Sequence, residues 1–246
     1  MNDIIFGRNP VIEALKGGRE IEKLLLQKGG EGSVKVIEAM ARDKKIPIQY
    51  LEKAALDRAI GGGAAVNHQG TVAYVSSFSY SDVDDLLKKA YAKGQEPFLI
   101  MLDGIEDPHN LGAIMRTADG AGAHGIIIPK RRAAGITETV AKASAGAVEY
   151  VAVAKVPNLA QTIDYLKDKG LWIVACDMGG DLYYNADLSM PLALVIGGEG
   201  SGVSRLILKK CDFVLTIPMA GSISSLNASN AAAILMYEIC KQRKGK

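Results

Sequence analysis

Five polar residues, gathered where three apolar runs end, carry the chemistry that this chain could perform: Asn110 and Arg116, then Glu199, then Ser225 and Asn227. The first pair lies in Leu102-Asp-Gly-Ile-Glu-Asp-Pro-His-Asn-Leu-Gly-Ala-Ile-Met-Arg-Thr-Ala118. Glu199 lies in Leu194-Val-Ile-Gly-Gly-Glu-Gly-Ser-Gly-Val-Ser-Arg205, and the last pair in Ile217-Pro-Met-Ala-Gly-Ser-Ile-Ser-Ser-Leu-Asn-Ala-Ser-Asn-Ala-Ala-Ala-Ile234. Each stretch reads as a strand, a polar or glycine-rich turn and a helix start, with Asn110 and Ser225 as candidate caps. A guanidinium keeps its proton at ordinary pH, so Arg116 is a poor base. It can bind phosphate and steady developing negative charge. Imidazoles titrate near neutrality, which makes His109 a tempting base, although it reads as a neighbour of the site and not as its catalyst. Gly198-Glu-Gly-Ser-Gly202 is glycine-rich but has the wrong spacing for a dinucleotide fingerprint.

These turns need a sheet to hold them side by side. From residue 97 the apolar runs are nearly continuous, at 98–102, 126–128, 151–154, 172–175, 192–196 and 213–217, as strands buried on both faces require. Helices expected near Asn110, Thr137, Leu159, Ser201 and Ser225 alternate with them, so the turns meet at one edge of a parallel α/β sheet, where such folds bind ligands. Ahead of this lies a smaller βαβα unit. Asn9-Pro10 opens a helix that Gly17-Gly18 closes, Ile21–Leu26 is a strand, and Ser33 caps a helix. Strand 46–51, helix 53–60 and strand 71–75 complete it. Gly61-Gly-Gly-Ala-Ala is a loop. Ser76-Ser-Phe-Ser-Tyr-Ser81 reads as a linker leading to a helix that Ser81 caps and Gly94 ends.

The three stretches resemble the three motifs of the SpoU (TrmH-like) RNA ribose 2′-O-methyltransferases in order, spacing and polar residues, strongly over residues 96–246. Phe6-Gly-Arg-Asn-Pro-Val-Ile-Glu-Ala-Leu15 and His68-Gln-Gly70 extend a weaker resemblance to the substrate-binding domain of the branch that methylates 23S rRNA. The resemblance implies an α/β fold with a SPOUT-type parallel sheet and a C-terminal trefoil knot, an exception to the rule against knotted chains. It implies an L30e-like RNA-binding domain at 1–76, a linker and helix at 77–95, and the catalytic domain at 96–246. It also implies methyl transfer from S-adenosylmethionine to a ribose 2′-hydroxyl, by a homodimer whose cofactor sites lie beside its interface. Gly197, Gly198, Ile217, Met219 and Leu226 would hold the cofactor, with the glycines letting the chain pass close to adenosine. Arg116 would bind the phosphate beside the target ribose and stabilise alkoxide charge. Asn110 would hold the loop or the ribose, Glu199 would accept from backbone or from Arg116, and Ser225 and Asn227 would cap the last helix and touch substrate. The expected substrate is a guanosine of 23S rRNA. The alternatives are tRNA, which the N-terminal domain argues against, and a non-catalytic RNA-binding assembly factor. A nucleotide-dependent oxidoreductase, which the sheet pattern alone permits, predicts a nicotinamide cofactor instead.

Composition sets the outer bounds. Over 246 residues, 48% are hydrophobic and 23% charged, as in ordinary globular proteins. No apolar run approaches the roughly 18 residues of a membrane span, and the N-terminus lacks a signal-peptide pattern, which points to the cytoplasm. Three cysteines and three histidines, widely spaced, suggest reduced thiols and no metal site. The net charge of +2 does not announce nucleic acid. An RNA surface must come from local clusters, of which Lys130-Arg131-Arg132 and the tail Lys241-Gln-Arg-Lys-Gly-Lys246 are candidates.

Overall fold

A computed structural model describes residues 3–16, 20–60, 67–75 and 78–244. The expected helix end at Gly17-Gly18, the Gly61–Ala65 loop, Ser76-Ser77 of the linker and the last two residues of the tail lie outside these. The chain divides into two compact units, 1–79 and 80–246.

The first unit runs β1 (Asp3–Phe6), α1 (Arg8–Lys16), β2 (Ile21–Gln27), α2 (Ser33–Asp43), β3 (Ile48–Leu51), α3 (Lys53–Ala59) and β4 (Thr71–Val75). Its sheet order is β1-β4-β2-β3, with β4 antiparallel to both of its neighbours and β2 parallel to β3. The strand β1 was not expected; it is only four residues long and lies at an edge. Side chains alternate faces along a strand. Leu24 and Leu26 therefore pack with Val11, Leu15, Ile37 and Ala41 from α1 and α2, whereas Leu25 packs with Leu56 of α3. The run Leu24-Leu25-Leu26 thus serves both faces of a three-layer unit.

The two N-terminal motifs clasp each other within this unit. The Arg8 backbone N–H donates to Gln69 Oε1 and its Nε to the Gln69 carbonyl, both at 3.1 Å. Gly7 and Gly70 hold positive φ of 93° and 78°, and Gln69 itself sits at 52°. His68 is buried and accepts at Nδ1 from the Gly70 N–H at 2.9 Å. Its Nε2 lies 3.0 Å from Asp57 Oδ1, off the line of a good hydrogen bond.

The second unit continues with α4 (Val83–Ala92), β5 (Phe98–Asp103), α5 (Pro108–Ala121), β6 (Gly125–Pro129), α6 (Glu138–Ala143), β7 (Val153–Val156), α7 (Leu159–Asp168), β8 (Trp172–Leu182), β9 (Leu192–Gly197), α8 (Arg205–Leu208), β10 (Phe213–Thr216) and α9 (Ala228–Lys244). Its six strands are all parallel, in the order β10-β8-β9-β5-β6-β7. Leu99, Met101, Ala193 and Val195 face a core shared with Leu86 of α4 and Ile163 and Leu166 of α7. The alternate residues Ile100, Leu102, Leu194 and Ile196 are also buried, and α5 and α9 pack together on that side of the sheet. Helix α4 starts one residue later than expected. Its cap is Asp82, while Ser81 runs beside β7 and donates its N–H to Val153.

At the N-terminal ends of the strands, Arg243 of α9 donates to the carbonyls of Glu96, Pro97 and Met190 and lies over the Phe98 ring. Lys241 pairs with Glu238 at 3.1 Å. The tail proposed as an RNA contact therefore has its arginine fixed to strand starts. Nearby, His124 is 2% exposed and accepts at Nδ1 from the Phe98 N–H, with Nε2 beside Gln95 Oε1, both at 3.0 Å. Burial first, and then Lys93, Arg243 and Lys89, push its pKa down to about 4. An unfolded histidine takes its proton near 6.5, so between that pH and about 4 the unfolded chain binds more protons and stability falls with acidification. The expected loss is on the order of 2–3 kcal/mol, complete below the folded pKa. Urea midpoints followed from pH 7 to 4 should show this slope in the wild type and a shallower one in His124→Gln. Equal slopes would exclude His124 as its source.

Candidate active site

The first site loop leaves β5 at Asp103 and turns at Gly104, whose φ is +82°. Asp107, not Asn110, caps α5: its Oδ1 accepts from the His109 N–H at 3.1 Å, and Pro108 takes the first helical position. Proline suits that position because its φ is already helical and no N–H is needed there. Asn110 therefore lies inside the first turn, where it is 7% exposed and points inward. The His109 side chain is exposed. Arg116, nearly two turns further on, is exposed and makes no hydrogen bond or ion pair among the described residues.

Asn110, Glu199 and Asn227 meet although they are far apart in the chain. Asn110 Nδ2 donates to Glu199 Oε1 at 2.9 Å. Asn227 Nδ2 donates to Asn110 Oδ1 at 3.0 Å and to the same Glu199 oxygen at 2.5 Å. A carboxylate oxygen receiving two amide donors is a charge-assisted junction, stronger than neutral pairs. Glu199 thus takes its partners from two asparagines, and not from Arg116. Asn227 also caps the last helix, since its Oδ1 accepts from the Ser229 N–H at 2.9 Å. Helix α9 begins at Ala228, so Ser225 precedes it and does not cap it. Likewise, α8 starts at Arg205, beyond Ser201.

Beside this junction lies a cavity of about 370 Å³. Gly197, Gly198 and Glu199 form one wall, and Ile217, Met219, Ser225 and Leu226 form another. Met219 and Leu226 each keep 37% of their surface exposed, so they are cavity walls and not core. The structure thus gathers Glu199, Ser225 and the five residues expected at a cofactor into one cavity. Asn110 and Asn227 stand at its edge through Glu199. Arg116 does not line it.

A third wall went unread in the sequence: Cys176, Asp177 and Met178 of β8. Strand β10 pairs with β8 at Val214↔Ala175 and next at Leu215↔Asp181, so residues 176–180 leave the ladder as a bulge. The available signal was Gly179-Gly180 after an apolar strand, since glycines there mark bulges and close approaches. A Cβ on Gly180 would fall 2.1 Å from the Val214 carbonyl oxygen. Asp177 braces the glycine-rich loop, its Oδ2 accepting from the Val203 N–H at 3.0 Å. Asp103 does the same for Ser204 at 2.8 Å. Burial pushes the Cys176 thiol up to about 11, which keeps it protonated and non-nucleophilic near neutral pH.

Gly197 and Gly198 are also needed for a reason that the sequence did not supply. A Cβ on Gly197 would lie 2.1 Å from the Gly202 carbonyl carbon, and one on Gly198 would lie 2.3 Å from the Gly104 oxygen. Backbone crossing backbone excludes the side chains, independently of any ligand.

Among the described residues, no group of three or more His, Cys, Asp or Glu could hold a metal ion, and no helix is long and apolar enough to cross a membrane. Compared with known proteins, residues 97–237 match the profile of the SpoU rRNA Methylase family, and residues 4–81 that of RNA 2′-O ribose methyltransferase substrate binding. YacO of Bacillus subtilis, assigned to the TrmH family of tRNA/rRNA methyltransferases, is 49% identical over 98% of this chain and 96% of its own. The crystal structure of the SpoU methyltransferase AviRb from Streptomyces viridochromogenes, in complex with the cofactor AdoMet, superposes with a TM-score of 0.62. It is 26% identical and covers 99% of this chain and 91% of that one. The TrmH/SpoU tRNA modifying enzyme of A. aeolicus is 31% identical with a TM-score of 0.57, over 65% of this chain and 80% of that one.

Proposed function

Because the chain belongs to the SpoU rRNA methylase family, we propose that it transfers the methyl group of S-adenosylmethionine to a ribose 2′-hydroxyl of RNA, at a guanosine of 23S rRNA. One observation carries the reading: the cavity beside the Asn110–Glu199–Asn227 junction is walled by Gly197, Gly198, Ile217, Met219 and Leu226. Its chemistry suits this cofactor. Apolar side chains and glycine backbone fit an adenosine. The charged side chains among its described lining residues are the acids Asp177 and Glu199, which favour a cation. When bound, the cofactor supplies an activated methyl on a cationic sulfonium.

The protein's own part is position and charge. Glu199 and the two asparagines fix the three loops against one another, so the cavity wall and the start of α9 move as one body. Asn227 and Ser225 then face the ribose. Arg116 binds the phosphate next to that ribose and stabilises the alkoxide as the hydroxyl loses its proton. Since Arg116 stands outside the cavity of its own chain, RNA or the second protomer of a homodimer must bring it to the ribose. Half-exposed Tyr237, whose hydroxyl lies against the Gly120 position of α5, offers apolar surface for such a dimer. The catalytic domain, 96–246, would carry the trefoil threading that membership of the family implies. Residues 1–76 would hold RNA as an L30e-like module, joined through the linker and helix at 77–95, in the cytoplasm.

Methyl transfer from labelled S-adenosylmethionine to total rRNA and tRNA, with 2′-O-methyl positions mapped, tests the proposal. One ribose in 23S rRNA is the expected product. Label on tRNA would keep the chemistry and overturn the substrate. Cofactor binding without label on either RNA would move the weight to a non-catalytic RNA-binding role.

A further inference from the structure

A second cavity, of about 610 Å³, opens at the same C-terminal edge of the sheet and shares Gly202 with the cofactor cavity. That volume is within the roughly 300–1,000 Å³ of ligand sites. Its rim includes Arg131 and Arg132, from the basic cluster that follows β6. Both are exposed, and neither makes a hydrogen bond or ion pair among the described residues. The loop carrying them is held at both ends: Lys130 donates its N–H to Val156 and Ala134 to Ile105, each at 2.8 Å. Between these anchors Arg132 adopts φ +55°, a left-handed conformation that side chains other than glycine rarely take. The loop therefore has a defined shape and presents two unpaired guanidinium groups at the cavity mouth. Two acids also line the cavity. Asp103 has one oxygen bonded to the Ser204 N–H, and Glu106 is exposed. Pro129, Pro157 and Leu206 supply apolar surface, with Leu206 61% exposed.

We propose that this cavity is a subsite for the nucleotide next to the methylated one, with Arg131 and Arg132 taking its phosphate and stacking on its base. A ribose within a chain carries a phosphate on each side, so a polymeric substrate must cross the surface bordering the cofactor cavity. The shared residue Gly202 makes this cavity that border. Single-stranded RNA is recognised largely by splayed bases stacked on flat groups, guanidinium planes among them, and by contacts to phosphate. The assignment rests on the RNA methyltransferase reading above.

The test uses the full chain with Arg131→Gln and Arg132→Gln together, and in vitro transcribed 23S rRNA as the probe. RNA affinity is measured against salt, and S-adenosylmethionine affinity by calorimetry. Losing two phosphate-directed charges should lower the slope of log K against log salt by about 1.4 and weaken RNA binding about tenfold. Cofactor affinity should be unchanged, and the charge-keeping pair, Arg131→Lys with Arg132→Lys, should regain the slope. RNA affinity and slope at wild-type values in the glutamine pair would overturn the subsite. So would an equal loss of cofactor affinity, which would make the loop a support for the neighbouring cavity. If the wild type methylates no RNA, the enzymatic reading falls by itself, and the salt slopes still report on the two arginines.

Discussion

Arg116→Lys should lose about 100-fold or more in kcat, the scale seen when one donor to developing charge is removed, while cofactor affinity stays at its wild-type value. The separation follows from position. Arg116 is exposed on α5 and does not line the cofactor cavity, so replacing it leaves every cavity wall intact. It has no structural partner to lose among the described residues, so the melting temperature should also be unchanged. Lysine keeps the charge but not the planar fork that grips two phosphate oxygens at once. Arg116→Ala should fall further than Arg116→Lys, and the gap between them measures what charge alone contributes. Single-turnover rates with saturating RNA check this, because they exclude a simple loss of substrate binding. Near-normal turnover in Arg116→Lys would mean that the guanidinium has no special role. A parallel fall in thermal stability would make it a structural residue.

The residues that meet at the cavity were legible in the sequence because each sits at the end of an apolar run, and parallel strands bring such ends together. Glu199, Ser225, Asn227 and the apolar wall of Met219 and Leu226 needed only that inference and a resemblance. What it did not contain was who bonds to whom. Asn110 read as a cap because asparagine is a good one. Asp107-Pro108 three residues earlier is a better start, and it freed Asn110 to face Glu199. The wall made by Cys176–Met178 was hidden for another reason. Apolar patterning marks where a strand begins, but a bulge is decided by the partner strand, and only Gly179-Gly180 hinted at it. In the first unit, the resemblance of Gly7-Arg8 and His68-Gln-Gly70 pointed to RNA, but it did not contain the clasp these motifs make between the turn before β4 and the start of α1, through the Arg8 and Gln69 side chains and the Gly7 N–H on the Thr71 carbonyl.

Gly197→Ala should disable the cofactor cavity, with destabilisation of about 3 kcal/mol and at least a hundredfold loss of S-adenosylmethionine affinity. The added Cβ would sit 2.1–2.4 Å from three backbone atoms of Gly202 and Val203. No side-chain rotamer can relieve such a contact, so the loop from Gly198 to Ser204 must move as a unit. That loop is pinned by the Gly202 N–H on the Gly198 carbonyl, and by Asp177 and Asp103 on the next two N–H groups. Moving it breaks those bonds and shifts Glu199 away from Asn110 and Asn227, so one methyl group disturbs all three motifs. Gly200→Ala, two residues past Gly198 in the same loop, separates steric from conformational cost. Its φ is +78° but no atom of the chain lies within 4 Å of a Cβ there, so the cost to folding is only that of a left-handed alanine, about 1–2 kcal/mol, and cofactor affinity should fall less than in Gly197→Ala. Calorimetric binding and urea midpoints on the two variants read the contrast directly. Equal effects would mean that backbone conformation, and not the crossing at Gly197, holds the cavity; a silent Gly197→Ala would show that the loop can slide away without cost.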